Sequence, residues 1–287
     1  MGGDAAELTL EYIRRLLPPR EKDSHKGANG RALIIAGSEQ YAGAALMSAA
    51  AALRAGTGVL TVCVPKAIRA EFFTLPEAIC LACGEGGNWD RAALDEAIAA
   101  LDGKTAAAIG PGMGAMADGS LLLAALERRL PIVLDADALN FLSNNPDRLS
   151  KLHPSAVLTP HPGEMARLTG LSIEAVTADP AAAAAEYAEK WNCTLLLKGA
   201  KSHIAGAGRL AVNVTGNPGL AKGGSGDVLT GLALAMLSQG LSAFDAACAA
   251  SFLLGCSADA AVEALSNRML LARDVIDMVE LTLKTTI

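Results

Sequence analysis

Aromatic side chains are scarce in this chain: two tryptophans, three tyrosines and five phenylalanines among 287 residues. An excess of basic charge is missing too, since 24 Lys and Arg face 30 Asp and Glu for a net charge of -6. A strand-binding protein needs basic stripes to displace counterions and aromatic faces to stack bases, so these shortages argue against a nucleic-acid partner. Long charge-free runs, such as 42–53 and 246–258, fall short of the ~20 residues of a membrane helix, and no membrane partner is expected. Acidic residues precede any apolar run at the N-terminus, so no signal peptide is readable. The six cysteines are scattered, and Cys80 and Cys83 lack a second Cys-x-x-Cys that would complete a metal site. They read as reduced core thiols of a cytoplasmic protein.

What is present is apolar and weakly charged: 52% hydrophobic residues, 19% charged and a mean hydropathy of +0.33. That composition excludes disorder. Short apolar runs at 32–36, 59–64, 78–82, 105–109, 132–135, 156–159 and 194–197 alternate with helix-forming stretches at 43–54, 90–101, 119–128 and 181–191. None of the runs alternates polar with apolar, which predicts a mostly parallel sheet covered by helices on both faces, an α/β fold. Residues 202–212 read as a hairpin around Gly206-Ala207-Gly208. Three helices, near 226–238, 243–265 and 273–283, form a C-terminal helical portion. No linker or repeat interrupts the pattern, so residues 1–287 read as one domain. Residues 1–29 are a lead-in with a short helix at 10–17, stopped by Pro18-Pro19.

Ligands of parallel sheets bind beyond the carboxyl ends of the strands, so the loops there carry the chemistry. The most informative stretch is Thr215-Gly216-Asn217-Pro218-Gly219-Leu220-Ala221-Lys222-Gly223-Gly224-Ser225-Gly226-Asp227, which runs into a helix. Glycines before a helix let bare N–H groups converge on an anion, and the helix dipole adds positive charge there. Asp227 would stand beside that anion; alternatively it caps the helix and the glycines only make a turn.

Other motifs are weaker. Gly103-Lys104-Thr105 lacks the first glycine of a phosphate-binding loop, since position 98 is Ile98. Gly110-x-Gly112-x-x-Ala115, with Asp135 twenty residues on, has dinucleotide-fingerprint spacing and keeps a Rossmann-type NAD-binding protein open. His161 and Glu164 lack further ligands for a metal. His161, between two prolines, reads as a rigid ligand contact or as a buried hydrogen-bonded histidine.

Taken in order, Ser24-His25-Lys26-Gly27-x-x-Gly30-Arg31, Ala36-Gly37-Ser38, Leu134-Asp135-Ala136-Asp137-Ala138-Leu139-Asn140, Thr159-Pro160-His161-Pro162-Gly163-Glu164-Met165, Leu197-Lys198-Gly199 and the segment from Gly216 to Gly231 resemble the ADP- or ATP-dependent NAD(P)H-hydrate dehydratases. The resemblance spans nearly the whole chain and implies a ribokinase-like fold. It implies cofactor repair, a lyase reaction in which the hydrated ring of NADHX or NADPHX is returned to NADH or NADPH. ADP or ATP with Mg2+ is spent, and bacterial-type members mostly use ADP and release AMP and phosphate.

By the same resemblance Asp227 is the base, and Gly223, Gly224, Ser225 and Gly226 form the anion hole. Lys198, Gly199, Ala200, Lys201, Ser202 and Gly226 hold the nucleotide, while Ala44, Gly112, Gly114, His161 and Asp227 contact the hydrate. A homotetramer is implied, and the Ala-rich helices suggest buried subunit faces. Many members carry an N-terminal hydrate epimerase domain; this chain starts too close to the dehydratase motifs to include one, so a separate epimerase partner is expected. Ser202 stands where Thr is usual and keeps the hydroxyl. Lys222 also replaces a usual Thr, as a cation able to meet phosphate or to alter nucleotide choice. A small-molecule kinase of the same superfamily is the alternative nearest in chemistry.

Overall fold

The computed structural model describes residues 5–17 and 23–286; Pro18-Pro19 lies outside them. A short β1 (Ala6–Glu7) and α1 (Leu10–Leu16) precede β2 (Arg31–Ile35), α2 (Ala42–Arg54), β3 (Val59–Pro65) and β4 (Ile79–Cys83). Then come α3 (Arg91–Ala99), β5 (Ala106–Ile109), α4 (Ser120–Glu127), β6 (Ile132–Leu134), α5 (Asp137–Asn144) and β7 (Ala156–Leu158). The chain continues through α6 (Pro162–Thr169), α7 (Ile173–Ala178), α8 (Pro180–Lys190), β8 (Thr194–Leu197), β9 (Ser202–Gly206) and β10 (Arg209–Asn213). It ends with α9 (Ser225–Ser238), α10 (Ala243–Val262) and α11 (Ala272–Thr286).

The strands form one ten-stranded sheet in the order β1-β10-β9-β8-β7-β6-β5-β2-β3-β4. All neighbours pair parallel except β9, which runs antiparallel to β8 and to β10. The sequence pattern follows from burial on both faces. In β2, Ala32 and Ile34 face one apolar cluster and Leu33 and Ile35 the other. The expected mostly parallel sheet, layered by helices and followed by a helical C-terminal portion, is the architecture found.

Three expectations are corrected. The strand near 78–82 is not covered on both faces: β4 is a sheet edge whose Ile79 and Leu81 are 52% and 40% exposed. Segments read as loops after β6 and β7 are the starts of α5 and α6, whose short, polar first turns hide the helical period. In α2 and α10 most of the alanines are packed inside the chain and are not open to a subunit contact. Ala45, Ala49, Ala51 and Ala52 of α2 and Ala246, Ala247, Ala249 and Ala250 of α10 are fully buried in this chain's own core. The 20-residue α10 is long and apolar enough to span a membrane by length and composition, but most of it is buried in that core.

Small residues set how closely α2 and α9 approach. A β-carbon on Gly231 would sit 2.2 Å from the Ser48 carbonyl oxygen, and Ser48 Oγ donates to the Asp227 carbonyl at 2.9 Å. Helix propensity alone favours Ala over Gly by about 1 kcal/mol. At Gly231 the clash is with backbone, so Gly231→Ala should instead destabilise by about 1–3 kcal/mol through overpacking. Thermal denaturation checks this, and a raised Tm would show that the two helices can separate freely.

Candidate active site

The order of the sheet reverses between β5 and β2, a topological switch point where ligands gather. Gly112 in the loop after β5 packs onto the start of α2, where its missing β-carbon would be 2.7 Å from Tyr41 Cβ and 2.8 Å from Ala44 Cβ. Gly114 N donates to Asp137 Oδ2 at 2.7 Å, and Asn140 Nδ2 donates to the other oxygen of Asp137 at 3.1 Å. Ala44, Gly112 and Gly114 thus lie together. The dinucleotide reading of this turn fails, because the fingerprint must open a helix and α4 begins only at Ser120. Gly103-Lys104-Thr105 lies at the opposite ends of the strands, with Thr105 N bonded to the Arg31 carbonyl.

Beside this cluster a cavity of about 930 Å³ opens over the ends of β6 and β8 and the start of α9. Lys198, Gly199, Ala200 and Ser202 line it, as do Gly223, Gly224, Ser225, Gly226, Asp227 and His161. Ala44, Gly112, Gly114 and Lys201 are not among its lining residues. The sequence therefore brought most of the candidate residues into one cavity and left Ala44, Gly112 and Gly114 grouped next to it. Lys222 lines the cavity, but its ammonium is bound to the carbonyls of Arg268 at 2.6 Å and Leu270 at 2.7 Å. It ties the loop to the segment before α11.

The N-cap of α9 is Gly224, at φ 98°, with no side-chain cap. Asp227 therefore does not cap the helix; it stands in the first turn. The bond from Val228 N to the Gly224 carbonyl opens the helix, so the N–H groups of Ser225, Gly226 and Asp227 precede the first intrahelical bond. Burial, then the negative charge of Asp135, push the Asp227 carboxyl up to about 7, against the opposing pull of Lys198. A carboxyl poised near neutrality is suited to accept a proton. Lys198 Nζ contacts Asp135 Oδ1 at 2.9 Å and Glu164 Oε2 at 3.6 Å. Its burial lowers the ammonium's proton affinity, but the charges of Asp135 and Glu164 outweigh this and the net direction is up. Lys198 keeps its charge in the cavity.

His161 is not a buried histidine: its side chain is 52% exposed at the cavity rim. Nδ1 accepts from Gly163 N at 3.0 Å and Glu164 N at 3.3 Å, while Glu164 Oε2 accepts from His161 N at 2.8 Å. This capping box holds the start of α6 and leaves Nε2 as the protonated nitrogen of the neutral ring.

Sequence reasoning missed Asp135, Thr159 and Thr230 as a connected group, and Asp259 of α10, which accepts from Gly216 N at 2.8 Å and Asn217 Nδ2 at 3.0 Å. A signal existed for Asp135, at the end of an apolar strand. Asp259 gave none, because its helix is far away in sequence.

The capping role yields a direct test. His161→Ala should cost about 1 kcal/mol of stability, while His161→Asn, which can still cap, should cost little. Equal melting temperatures for the Ala variant and the parent protein would refute the cap.

Known proteins with similar sequence and structure point the same way. A family model described as NAD(P)H-hydrate dehydratase matches residues 32–280. The chain is 40% identical over 283 residues to a bifunctional NAD(P)H-hydrate repair enzyme of Moorella thermoacetica, covering 96% of this chain and 53% of that protein. It spans about half the length of the curated relatives it matches first. It is 37% identical to an ADP-dependent (S)-NAD(P)H-hydrate dehydratase of Neisseria meningitidis, covering 90% of this chain and 87% of the other. The Bacillus subtilis ADP/ATP-dependent NAD(P)H-hydrate dehydratase crystallised with ATP and Mg2+ matches with a TM-score of 0.84 and 32% identity over 100% of both chains. The fold is ribokinase-like, and the chain belongs to the NAD(P)H-hydrate dehydratase family.

Proposed function

We propose that this protein dehydrates the (6S) hydrates of NADH and NADPH, with ADP as the preferred phosphoryl donor. The observation that carries this reading is Asp227, a carboxyl raised to about 7 beside a glycine-led helix start and a charged lysine in one cavity. In this reading the hydrate's ring hydroxyl gives its proton to Asp227 and attacks the terminal phosphorus of ADP. AMP leaves, and the N–H groups at Gly223 to Gly226 hold the moving phosphoryl group. The ring then expels phosphate, and loss of a proton from the adjacent carbon restores the double bond. Hydrate plus ADP gives NAD(P)H, AMP and phosphate.

Lys198, Gly199, Ala200, Lys201, Ser202 and Gly226 are proposed to hold the nucleotide. The arrangement of Lys198 supports this, because its Nζ would lie 3.6 Å from a β-carbon on Gly226, over the turn where phosphates would sit. Ala44, Gly112, Gly114, His161 and Asp227 are proposed to contact the hydrate. The Ser48 bond to the Asp227 carbonyl links α2, which carries Ala44, to the base. Among the described residues no group of three or more His, Cys, Asp or Glu could hold a metal ion. The donor set does not fit a resident cation, and we read Mg2+ as entering with the nucleotide as part of the co-substrate.

We further read residues 1–287 as one domain, cytoplasmic, acting alongside a hydrate epimerase activity. The continuous sheet from β1 to β4 supports the first point and six free thiols support a reducing compartment.

Incubation with NADHX, Mg2+ and either ADP or ATP tests the function. Dihydropyridine absorbance should recover only with nucleotide, and faster with ADP at equal concentration. Asp227→Asn should fold but turn over at least about a hundredfold more slowly. A stable phosphorylated alcohol in place of NADH would establish a kinase instead, and near-normal turnover by Asp227→Asn would remove the proposed base. Titration of His161→Asn should show weakened hydrate binding with nucleotide binding kept.

A homotetramer is also proposed. Phe73, in the 66–74 segment that packs on edge strand β4, is 77% exposed, and Ile79 and Leu81 of that strand are exposed as well, apolar surface suited to contact between subunits. Light scattering should give four times the 29.2 kDa chain mass; a monomer would refute it.

A further inference from the structure

Asp135 ends an apolar strand with its side chain 3% exposed and its carboxylate held by three donors within the chain. Thr159 Oγ1 donates to Oδ1 at 2.8 Å, Lys198 Nζ to the same oxygen at 2.9 Å, and Thr230 Oγ1 to Oδ2 at 3.0 Å. Each donor comes from a different element: the end of β7, the end of β8 and the first turns of α9. Backbone geometry fixes the carboxylate further. The next residue, Ala136, holds φ at 48° without being glycine, and a β-carbon on Gly110 would meet the Asp135 carbonyl at 1.8 Å. Such a conformation persists only where the surroundings enforce it.

The same carboxylate faces the site. A β-carbon on Gly226 would be 3.8 Å from Asp135 Oδ2 and 3.6 Å from Lys198 Nζ, so the ion pair lies against the turn that leads to Asp227. The charged and titratable groups around Asp227 are Asp135 at the end of β6, Lys198 at the end of β8, and Glu164 and His161 of α6 behind Lys198. Lys222 is held away by backbone carbonyls. From α2 come Met47 and Ser48, which carry no charge.

We propose that Asp135 is a positioning residue for the dehydration, anchoring the Lys198 ammonium over the Gly226 turn and setting its own negative charge against the first turns of α9, the helix that carries Asp227. Without Asp135, two changes act on Asp227 in the same direction. A nearby negative charge disappears, and Lys198 is released to face the remaining carboxylate. Both favour the ionised form of Asp227. The weaker base that results gives a slower proton transfer at its plateau, even though it is ionised over a wider pH range.

The inference rests on the dehydratase reading for its consequence, but its physical core is measurable without substrate. Carbon NMR of protein labelled at the aspartate carboxyls, with the Asp227 signal identified by its loss in Asp227→Asn, follows the titration directly. In the parent protein the Asp227 signal should titrate near 7. In Asp135→Asn it should move down by about one pH unit or more, and in Asp135→Glu, which keeps the charge, it should stay near the parent value. The acid limb of the dehydration rate should follow the same shifts.

An unmoved Asp227 titration in folded Asp135→Asn overturns the proposal. A shifted titration in a protein with no dehydratase activity sustains the coupling and refutes the dehydratase reading instead. Should both Asp135 variants fail to fold, Thr230→Val removes one donor and no charge. More of the Asp135 field then reaches Asp227, and its titration should move upward; no movement or a downward shift overturns the proposal.

Discussion

The ion pair between Lys198 and Asp135 is the contact on which the site depends, because it lets charge survive where three apolar strands end. Parallel strands buried on both faces end in unpaired backbone and little water. An isolated ammonium there would shed its proton rather than remain charged. Asp135 and Glu164 prevent this, and Thr159 and Thr230 supply the hydrogen bonds that a desolvated carboxylate needs. With the lysine charge secured, an anion can be held at the start of α9 by a cation as well as by bare N–H groups.

The same arrangement has a cost in stability that can be read from Asp227. Its carboxyl binds a proton more tightly in the folded protein than in the unfolded chain. As pH rises from the ordinary carboxylate range through about 7, the unfolded state has lost that proton while the folded state still holds it, so stability falls across this window. Above it the full penalty of a buried charge remains. The proposed role as a base accounts for such a residue, since a carboxyl already ionised well below neutrality would be a poor proton acceptor.

Much of this was legible in the sequence, for a physical reason. Strands apolar throughout betray two covered faces, and the seven runs read as strands all became strands within a residue or two at each end. The glycines before Asp227 marked a helix start that needs bare backbone, and Gly224 at φ 98° is the residue that required it. Less legible was whatever depends on contacts between distant segments. The helices α5 and α6 begin on a strained alanine and on a histidine cap, neither of which is a usual start signal. In α2 and α10 most of the alanine serves close helix packing inside the chain, a use that composition alone does not reveal. The Asp135 network joins residues 135, 159, 198 and 230, and Asp259 reaches back to Gly216 and Asn217; sequence spacing cannot reveal either.

Under the proposed roles, two groups of residues act together although they are carried by different halves of the sheet. Ala44, Gly112 and Gly114 belong to the switch point between β2 and β5, whereas Lys198, Gly226 and Asp227 belong to the cavity beyond β6 and β8. Their distance is set by the packing of α2 on α9. Gly231 permits the approach, Ser48 bonds the Asp227 carbonyl, and the absent side chain of Gly224 leaves room for Met47, whose sulfur would be 2.6 Å from a β-carbon there. Each of these contacts involves backbone or a residue that cannot grow without a clash. The proposed base is thereby fixed to the helix that borders the switch point, and the proposed nucleotide side to the strands beyond it. A shift of α2 along α9 would move one group relative to the other without breaking either, and the small residues Gly231 and Ser48 at the closest approach oppose such a shift.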